Sequence, residues 1–234
     1  MRGSRKIDRW HRAFRPALMA MLATGMLLSG CAGDMVPARK NARKPALPSS
    51  LVPSYRANSA EYRQCTVKLA SLDARYTPLP DKSYGGGCSA YGAVKLDNIG
   101  VPTSNLGPMT CPLAENFTAW ARYGVAPAAR VILGSDLVRI ETFGTYNCRT
   151  IAGSGRMSEH ARSNAVDIAA FLLADGRRVS VQTGWNGNGD EREFLRRIRQ
   201  SACKRFRTVL SPDYNAAHHD HLHFDMGGKG SYCR

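Results

Sequence analysis

The segment HHDHLHFD, residues 218–225, constrains the fold more than any other part of the chain. It holds four of the six histidines and two acidic residues within eight positions. If the segment is a strand, His221 and His223 point to one face and Leu222 and Phe224 to the other, because successive side chains alternate. It therefore predicts a strand that anchors two apolar side chains in a core and presents two imidazoles at a cavity.

The first 31 residues have the charge order of a secretory signal. The cationic opening MRGSRKIDRWHRAFRP precedes ALMAMLATGMLLSG, which is apolar and uncharged but short for a membrane span. The signal ends in LSGC, which resembles the bacterial lipobox, where Cys31 is lipidated after cleavage. Ala32 follows, and bacterial sorting rules then favour the outer membrane. We expect residues 1–31 to be a lipoprotein signal and the protein to be lipid-anchored on the periplasmic face of a bacterial membrane; the alternative is an ordinary buried helix.

Residues 32–57 are rich in Pro, Ser, Ala, Lys and Arg and show no sustained hydrophobic period. This composition predicts a flexible basic tether that leads to a folded domain at residues 58–234. Part of the formal net charge of +15 lies in the N-terminal region, so the domain itself is only mildly basic. A basic surface can attract anionic lipid, cell-wall polymer or nucleic acid. Because no nucleic-acid motif is present, we expect no nucleic-acid partner.

Six cysteines remain once Cys31 is assigned to the signal: Cys65, Cys88, Cys111, Cys148, Cys203 and Cys233. An even number of cysteines in an exported chain predicts disulfides, and reduced core cysteines would suit a cytosolic protein better. None of the six has the close spacing of a zinc ribbon or a redox pair. The sequence does not choose among the possible pairings.

Hydrophobic periodicity predicts an α+β domain, with a small, mostly antiparallel sheet and flanking helices. Helices are predicted for SAEYRQCTVKLASL, for CPLAENFTAWARYG, ending at Gly124, and for DEREFLRRIRQSACKRF. Strands are predicted for DLVRIETFGTY, for both halves of VDIAAFLLADGRRVSV around an Asp-Gly turn, for TVLSPDYN and for HLHFD. The glycine-rich YGGGCSA is predicted to be a loop.

A second concentration of titratable groups lies in SEHARSNAVD, residues 158–167, which contains His160 and Asp167. Asp167 opens the apolar run VDIAAFLL, where an unpaired carboxylate would be costly. A zinc ion would supply a partner for Asp167. The two histidines of the C-terminal strand are too few to hold zinc alone, because catalytic zinc takes three protein ligands and a water. The alternative is that His160 and His223 are core histidines bonded to the backbone.

These two segments together resemble a group of zinc peptidases that cut bacterial cell-wall peptides. The group contains D-alanyl-D-alanine carboxypeptidases, L-alanyl-D-glutamate peptidases and murein endopeptidases, and it shares its metal-site fold with hedgehog domains. Ser158, His160, Ala165 and Asp167 match the first motif, but Ser163 stands where the group usually has glycine. More specifically, residues 65–234 resemble the bacterial extensin-like C-terminal domain, through TYNCR, SEHARSNAVDIAAF, SAC and HHDHLHFD.

The resemblance implies zinc as the cofactor, held by His160, Asp167 and His223. It implies that Asp220 is the general base, while His221 positions the water or stabilises the tetrahedral intermediate. Arg149 matches the arginine that would balance the negative oxygen developing at the scissile carbonyl. Arg149 also fits a plain surface position beside Cys148. His218 and His219 are predicted to be loop residues, and Trp185 either lines a substrate groove or caps the core.

The function implied by this resemblance is hydrolysis of peptide bonds in peptidoglycan stem peptides or cross-links, in the periplasm. Peptidoglycan peptides would then be the partner. The alternative is a cell-wall-binding or structural lipoprotein that keeps the fold, with or without the metal, and cuts nothing. A third reading is an amidase that uses the same metal site. Fold resemblance alone does not decide among them.

Overall fold

The computed structural model describes residues 56–234, which form an α+β arrangement as predicted. The predicted signal with Cys31, and the predicted tether up to residue 55, lie outside the described residues. Within residues 56–234, no helix combines the length and the apolar character that crossing a bilayer requires. The helices are α1 (Ala60–Ser71), α2 (Cys111–Trp120), α3 (Ala126–Leu133), α4 (Val181–Gly184) and α5 (Gly189–Cys203). The strands are β1 (Arg75–Pro78), β2 (Lys82–Gly85), β3 (Cys88–Ala90), β4 (Ala93–Asn98), β5 (Thr103–Ser104), β6 (Met109–Thr110), β7 (Leu137–Gly144), β8 (Ala165–Leu173), β9 (Arg178–Ser180), β10 (Thr208–Leu210), β11 (Leu222–Asp225) and β12 (Tyr232–Cys233).

The main sheet has seven strands in the order β12-β10-β11-β8-β7-β5, with β9 also paired to β8. Its central pairs are antiparallel, as predicted, and only β10 with β12 and β5 with β7 are parallel. The prediction of one small sheet is wrong, because β1, β4 and β6 form a second sheet and β2 and β3 a third. The strands that carry the histidine segments nevertheless belong to one sheet.

Strand β8 lies at the centre of the main sheet and is almost continuously apolar, as a strand covered on both faces should be. The core beside it is built around Trp120, whose ring packs edge-on against Phe171 of β8 and Phe224 of β11. The indole nitrogen of Trp120 donates to the main-chain oxygen of Ile198, 2.9 Å away on α5. Helices α2 and α5 therefore fix the sheet from the same side.

Two of the predicted helices, α1 and α5, begin at side-chain caps. In α1, Ser59 Oγ accepts a hydrogen bond from the backbone nitrogen of Tyr62, and in α5 Asn188 caps Glu191 in the same way. The apolar side of α5 is buried as predicted, at Phe194, Leu195, Ile198 and Ala202. Helix propensity, capping and burial agree in both segments.

The predicted helix end at Gly124 is wrong. A π-helical turn, Ala121–Val125, continues α2 into α3, which ends at Gly134 in the left-handed conformation with φ 66°. Gly124 is small for another reason, since a Cβ atom there would lie 2.5 Å from Ser201 Oγ on α5. The glycine permits close helix packing, which the local pattern does not reveal.

The segment YGGGCSA is also more ordered than predicted. It forms the turn of the β2–β3 hairpin, and Gly85, Gly86 and Gly87 all have positive φ angles. Glycine is suited to this turn because it adopts positive φ without a Cβ clash. The prediction of a loop holds for the turn and is wrong for the flanking strands.

All six cysteines of the described region are paired, which confirms the prediction of disulfides. The pairs are Cys65–Cys111, Cys88–Cys148 and Cys203–Cys233. The first ties α1 to α2, the second ties β3 to the segment after β7, and the third ties the end of α5 to β12.

Candidate metal centre

Strand pairing brings Asp167 and His223 side by side. Strands β8 and β11 are antiparallel neighbours, and their register sets Asp167 directly opposite His223. His223 Nδ1 lies 2.9 Å from Asp167 Oδ1. In β11, Leu222 and Phe224 are fully buried in the core, so the alternation predicted from HLHFD is confirmed.

A short 3₁₀ turn, Glu159–Arg162, brings His160 to the same place. Its Nε2 lies 3.1 Å from Asp167 Oδ2 and 3.2 Å from His223 Nδ1. Ser158 caps the turn by accepting a hydrogen bond from the backbone of His160. One ligand atom from each of the three residues falls within 4.8 Å of the others, as a shared metal ion requires.

Ser163 lies at the position where the resembled peptidase motif has glycine, and it forms the turn before β8. It adopts the left-handed conformation, φ 54° and ψ 29°, between the 3₁₀ turn and β8. Its side chain is fully buried, and its hydroxyl donates to the main-chain oxygen of Ser89 at 3.3 Å. Serine therefore makes this left-handed turn, at some conformational cost.

The groups behind the two histidines decide which ring nitrogens carry protons. His160 Nδ1 lies 3.2 Å from the main-chain oxygen of Thr145, and His223 Nε2 lies 3.0 Å from Asp225 Oδ2. Both partners are acceptors, so these nitrogens are the donors. His160 Nε2 and His223 Nδ1 are then left with lone pairs that face the Asp167 carboxylate. With both histidines neutral, three acceptors therefore surround one point, and a cation or a proton on His223 can join them.

The pKa values of the buried groups agree with a site built for positive charge. Burial lowers the pKa of His223, but hydrogen bonds to Asp167 and Asp225 outweigh it and raise the pKa to about 9. Burial raises the pKa of Asp167, but the hydrogen bonds of His160 and His223 outweigh it and hold that pKa far below its ordinary value. Asp167 is therefore ionised, and in the metal-free site the His223 ring is protonated on both nitrogens and carries a positive charge.

Two other predicted site residues, His221 and Asp220, lie beside the cluster. His221 Nε2 is 3.6 Å from Asp167 Oδ1, while its Nδ1 is 2.8 Å from Asp220 Oδ1. Asp220 therefore contacts the far side of the His221 ring, and His221 lies between Asp220 and the cluster. The exposed ring of Phe143 packs edge-on against His221, with 5.9 Å between ring centres.

His218 is closer to the centre than the sequence suggests. Its ring centre is 5.0 Å from that of His221 and 5.9 Å from that of His223. Burial and then these two histidines lower the pKa of His218 to about 4, and the guanidinium of Arg149 acts in the same direction. Arg149 itself is exposed, next to the Cys88–Cys148 disulfide. His219, in contrast, is exposed in a loop as predicted.

Comparison with known families gives a match that includes both histidine segments. Residues 63–234 match the family described as extensin-like protein C-terminus. The chain belongs to the extensin-like C-terminal family. No curated protein and no solved structure matches it. The matched span of the extensin-like domain contains every residue of the histidine and carboxylate cluster.

Two groups that contact the histidines of the extensin-like domain, the Thr145 carbonyl and the Asp225 carboxylate, were not predicted from the sequence. Asp225 could have been found, because strand alternation places it on the same face as His223, two residues earlier. The Thr145 contact uses a main-chain oxygen just after β7, so no side-chain pattern could have indicated it. Both groups orient a histidine of the cluster, as the outer partners of metal-binding histidines do.

Proposed function

We propose that the extensin-like domain is a zinc-dependent peptidase that hydrolyses peptide bonds of peptidoglycan stem peptides or cross-links. One observation carries the proposal. When both histidines are neutral, the lone pairs of His160 and His223 and the Asp167 carboxylate converge on one point, while His221 directs a further nitrogen toward them. An enclosed cluster of acceptors is stable when a cation, or a proton in its place, lies among them.

Two imidazoles and one carboxylate form a donor set that suits zinc. Catalytic zinc sites use three protein ligands and leave a position for water or substrate. His160 Nε2, His223 Nδ1 and a carboxylate oxygen of Asp167 would hold the ion. When bound, zinc lowers the pKa of a water molecule toward neutrality and polarises a carbonyl group.

His221 is the group best oriented to take a proton at this centre. Its Nδ1 is engaged by Asp220, so the lone pair of Nε2 faces Asp167 and the space beside it. Asp220 then fixes the tautomer of His221 and stabilises the imidazolium once the proton has moved, as a carboxylate does for the histidine of a catalytic triad. We therefore assign the base to His221 and a positioning role to Asp220, whereas the resemblance alone favours Asp220.

Arg149 is exposed and near enough to the half-buried His218 for its guanidinium to lower the pKa of that histidine. A guanidinium in this position can pair with the negative oxygen that develops when a peptide carbonyl is attacked. Arg149 therefore has the role that the resemblance implies. His218 adds a ring beside His221 against which a bound peptide can pack.

We also propose a relationship to the cell-wall peptidases and a periplasmic location. The order of histidine, aspartate and distant histidine, with the last two paired across antiparallel strands, supports a common metal-site architecture with the cell-wall peptidases and hedgehog domains. Three disulfides suit an oxidising compartment such as the periplasm. Lipidation at Cys31 would anchor the domain to a membrane. Because Ala32 follows the cysteine, bacterial sorting rules favour the outer membrane.

Zinc analysis and digestion of purified muropeptides, followed by chromatography, test the proposal. The wild-type domain should contain about one zinc per chain and release peptides, and Asp167→Ala should lose both properties, because the centre loses one of its three ligands. His221→Gln should retain zinc and lose hydrolysis. A zinc-free wild type would defeat the metal assignment.

His219→Gln is the matched control, since His219 is the same residue type two positions earlier but is exposed in the loop. It should behave as the wild type. A fully zinc-loaded protein that binds cell-wall fragments but releases no peptide would favour the binding-module function instead.

A further inference from the structure

A cavity of about 450 Å³ opens between α5 and the C-terminal strand, outside the histidine cluster. Its lining residues are Arg199, Asp213, Tyr214, Tyr232, Cys233 and Arg234. The wall thus contains two guanidinium groups, one carboxylate and two half-exposed aromatic rings. Neither the proposed metal centre nor the core packing accounts for this combination.

Arg199 is the unusual member of the wall. Among the described residues, its Nε atom is buried and has no hydrogen-bond partner. Arg199 as a whole is only half-buried and lines the cavity, while its Nε atom is covered. A buried donor without an acceptor is uncommon in folded proteins.

The one carboxylate in the wall is already neutralised. Asp213 accepts hydrogen bonds from Trp185 Nε1, at 2.8 Å, and from the guanidinium of Arg196. Arg196 in turn stacks on the Trp185 ring, 3.8 Å from its centre. Trp185 is almost fully buried, so it caps the core and holds this arrangement in place. Asp213 also attracts Arg199, but its hydrogen bonds go to Trp185 and Arg196, so two guanidinium groups share this one carboxylate.

The cavity is connected to the metal centre through Tyr214. The Tyr214 ring lines the cavity and packs against His218, with 5.5 Å between ring centres. His218 in turn lies against His221. Because an extended peptide advances about 3.5 Å per residue, two or three residues span such ring-to-ring steps.

We propose that this cavity binds a carboxylate of the peptide substrate, with Arg199 as its principal partner and Tyr214 as the wall that directs the chain toward His221. This inference rests on the proposed peptidase function, and it names the chemical feature that the enzyme recognises. A planar guanidinium pairs with a carboxylate through two parallel hydrogen bonds, which fixes orientation as well as charge. The enzyme would therefore select acidic stem peptides over neutral ones.

The test is a binding measurement by calorimetry on the metal-free mature protein, so that it does not depend on turnover. The probes are an acetylated stem tetrapeptide with free carboxylates and the same peptide with its carboxylates amidated. We expect the acidic peptide to bind at least tenfold more tightly than the amide. Arg199→Gln should remove this difference, and Arg199→Lys should restore it only in part, because lysine lacks the fork geometry.

Arg197→Gln is the matched control, because Arg197 lies on the same helix but is exposed and paired with Glu193. It should bind both peptides as the wild type does. Equal affinity for the acidic and amidated peptides, or an unchanged preference in Arg199→Gln, would overturn the proposal. Competition by inorganic phosphate at concentrations comparable to the peptide would also overturn it, by showing a general anion site.

The two proposals fail in different ways. If the protein binds the acidic peptide through Arg199 but never hydrolyses it, the carboxylate site stands and the peptidase function falls. If the zinc-loaded protein hydrolyses acidic and amidated peptides equally well, the peptidase function stands and the carboxylate site falls.

Discussion

Asp225 accepts a hydrogen bond from His223, with Oδ2 3.0 Å from Nε2, and both side chains are buried. The other carboxylate oxygen of Asp225 accepts from the backbone nitrogen of Gly227 at 2.8 Å, so the group is held from two sides. This contact points His223 Nδ1 at Asp167. A carboxylate behind a metal-binding histidine also makes the imidazole a better ligand.

Asp225→Asn should therefore weaken zinc binding by about 10- to 100-fold, because the amide keeps the shape of the side chain but loses its charge. Competition with a chromogenic chelator measures the change. Asp220→Asn is the control, since Asp220 contacts a histidine that is not among the three proposed ligands. Equal zinc affinity in the Asp225→Asn variant and the wild type would contradict the assigned role of Asp225.

Asp220→Asn should instead affect turnover. The loss of the carboxylate frees His221 to adopt the wrong tautomer and removes the charge that stabilises its protonated form, which should lower kcat by about 100-fold or more. The zinc content should stay at the wild-type value. Rates of muropeptide release across pH measure the effect. A variant with normal kcat and an unchanged pH profile would remove Asp220 and His221 from the proton transfer.

The stability of the metal-free protein should depend on pH through His223. Its pKa is raised from 6.5 to about 9 in the folded state, so the folded protein holds an extra proton between these values. The stabilisation is complete below about pH 6.5 and is lost as pH rises through about 9, by an amount on the order of 3 kcal/mol. Thermal unfolding at a series of pH values measures this loss.

Zinc should reverse the trend, because the metal needs the unprotonated His223 Nδ1 and binds more tightly as pH rises. The difference in Tm between the zinc-loaded and metal-free proteins should therefore widen from pH 6 to pH 9. A metal-free His223→Gln variant should lack the pH-dependent loss. A metal-free wild type that is equally stable at pH 6 and pH 9 would contradict the ion pair between His223 and Asp167.

The parts of the molecule that sequence reasoning anticipated are those governed by short-range patterns. Alternation in HLHFD predicted that Leu222 and Phe224 would be buried and that His223 would face away from them, because strand geometry has a period of two. Capping and periodicity predicted α1 and α5 for the same local reasons. The convergence of His160, Asp167 and His223 came instead from resemblance, since no local rule brings residues 160 and 223 together.

The parts that were missed depend on contacts across the fold. The local pattern around Gly124 predicts a helix end. Its small size instead leaves room for the Ser201 side chain, on a helix more than seventy residues away in sequence. The buried donor of Arg199 and its cavity arise from the way α5 meets β12, and one segment alone shows neither. Disulfide pairing is likewise a property of the folded chain.

The Cys88–Cys148 disulfide closes a sequence separation of 60 residues and ties the β2–β3 hairpin to the segment that carries Thr145. Replacing both cysteines with serine should destabilise the protein by about 4 kcal/mol, mainly through the entropy regained by the unfolded chain. It should also weaken zinc binding, because the Thr145 carbonyl that orients His160 is no longer tethered.

The Cys203–Cys233 pair is the matched control. Its removal should cost a similar Tm decrease and leave zinc affinity unchanged, since it ties α5 to β12 at a distance from Thr145. Chelator competition on both double variants distinguishes the two effects, and an equal loss of zinc affinity would show that general loosening, not the position of Thr145, controls the metal centre.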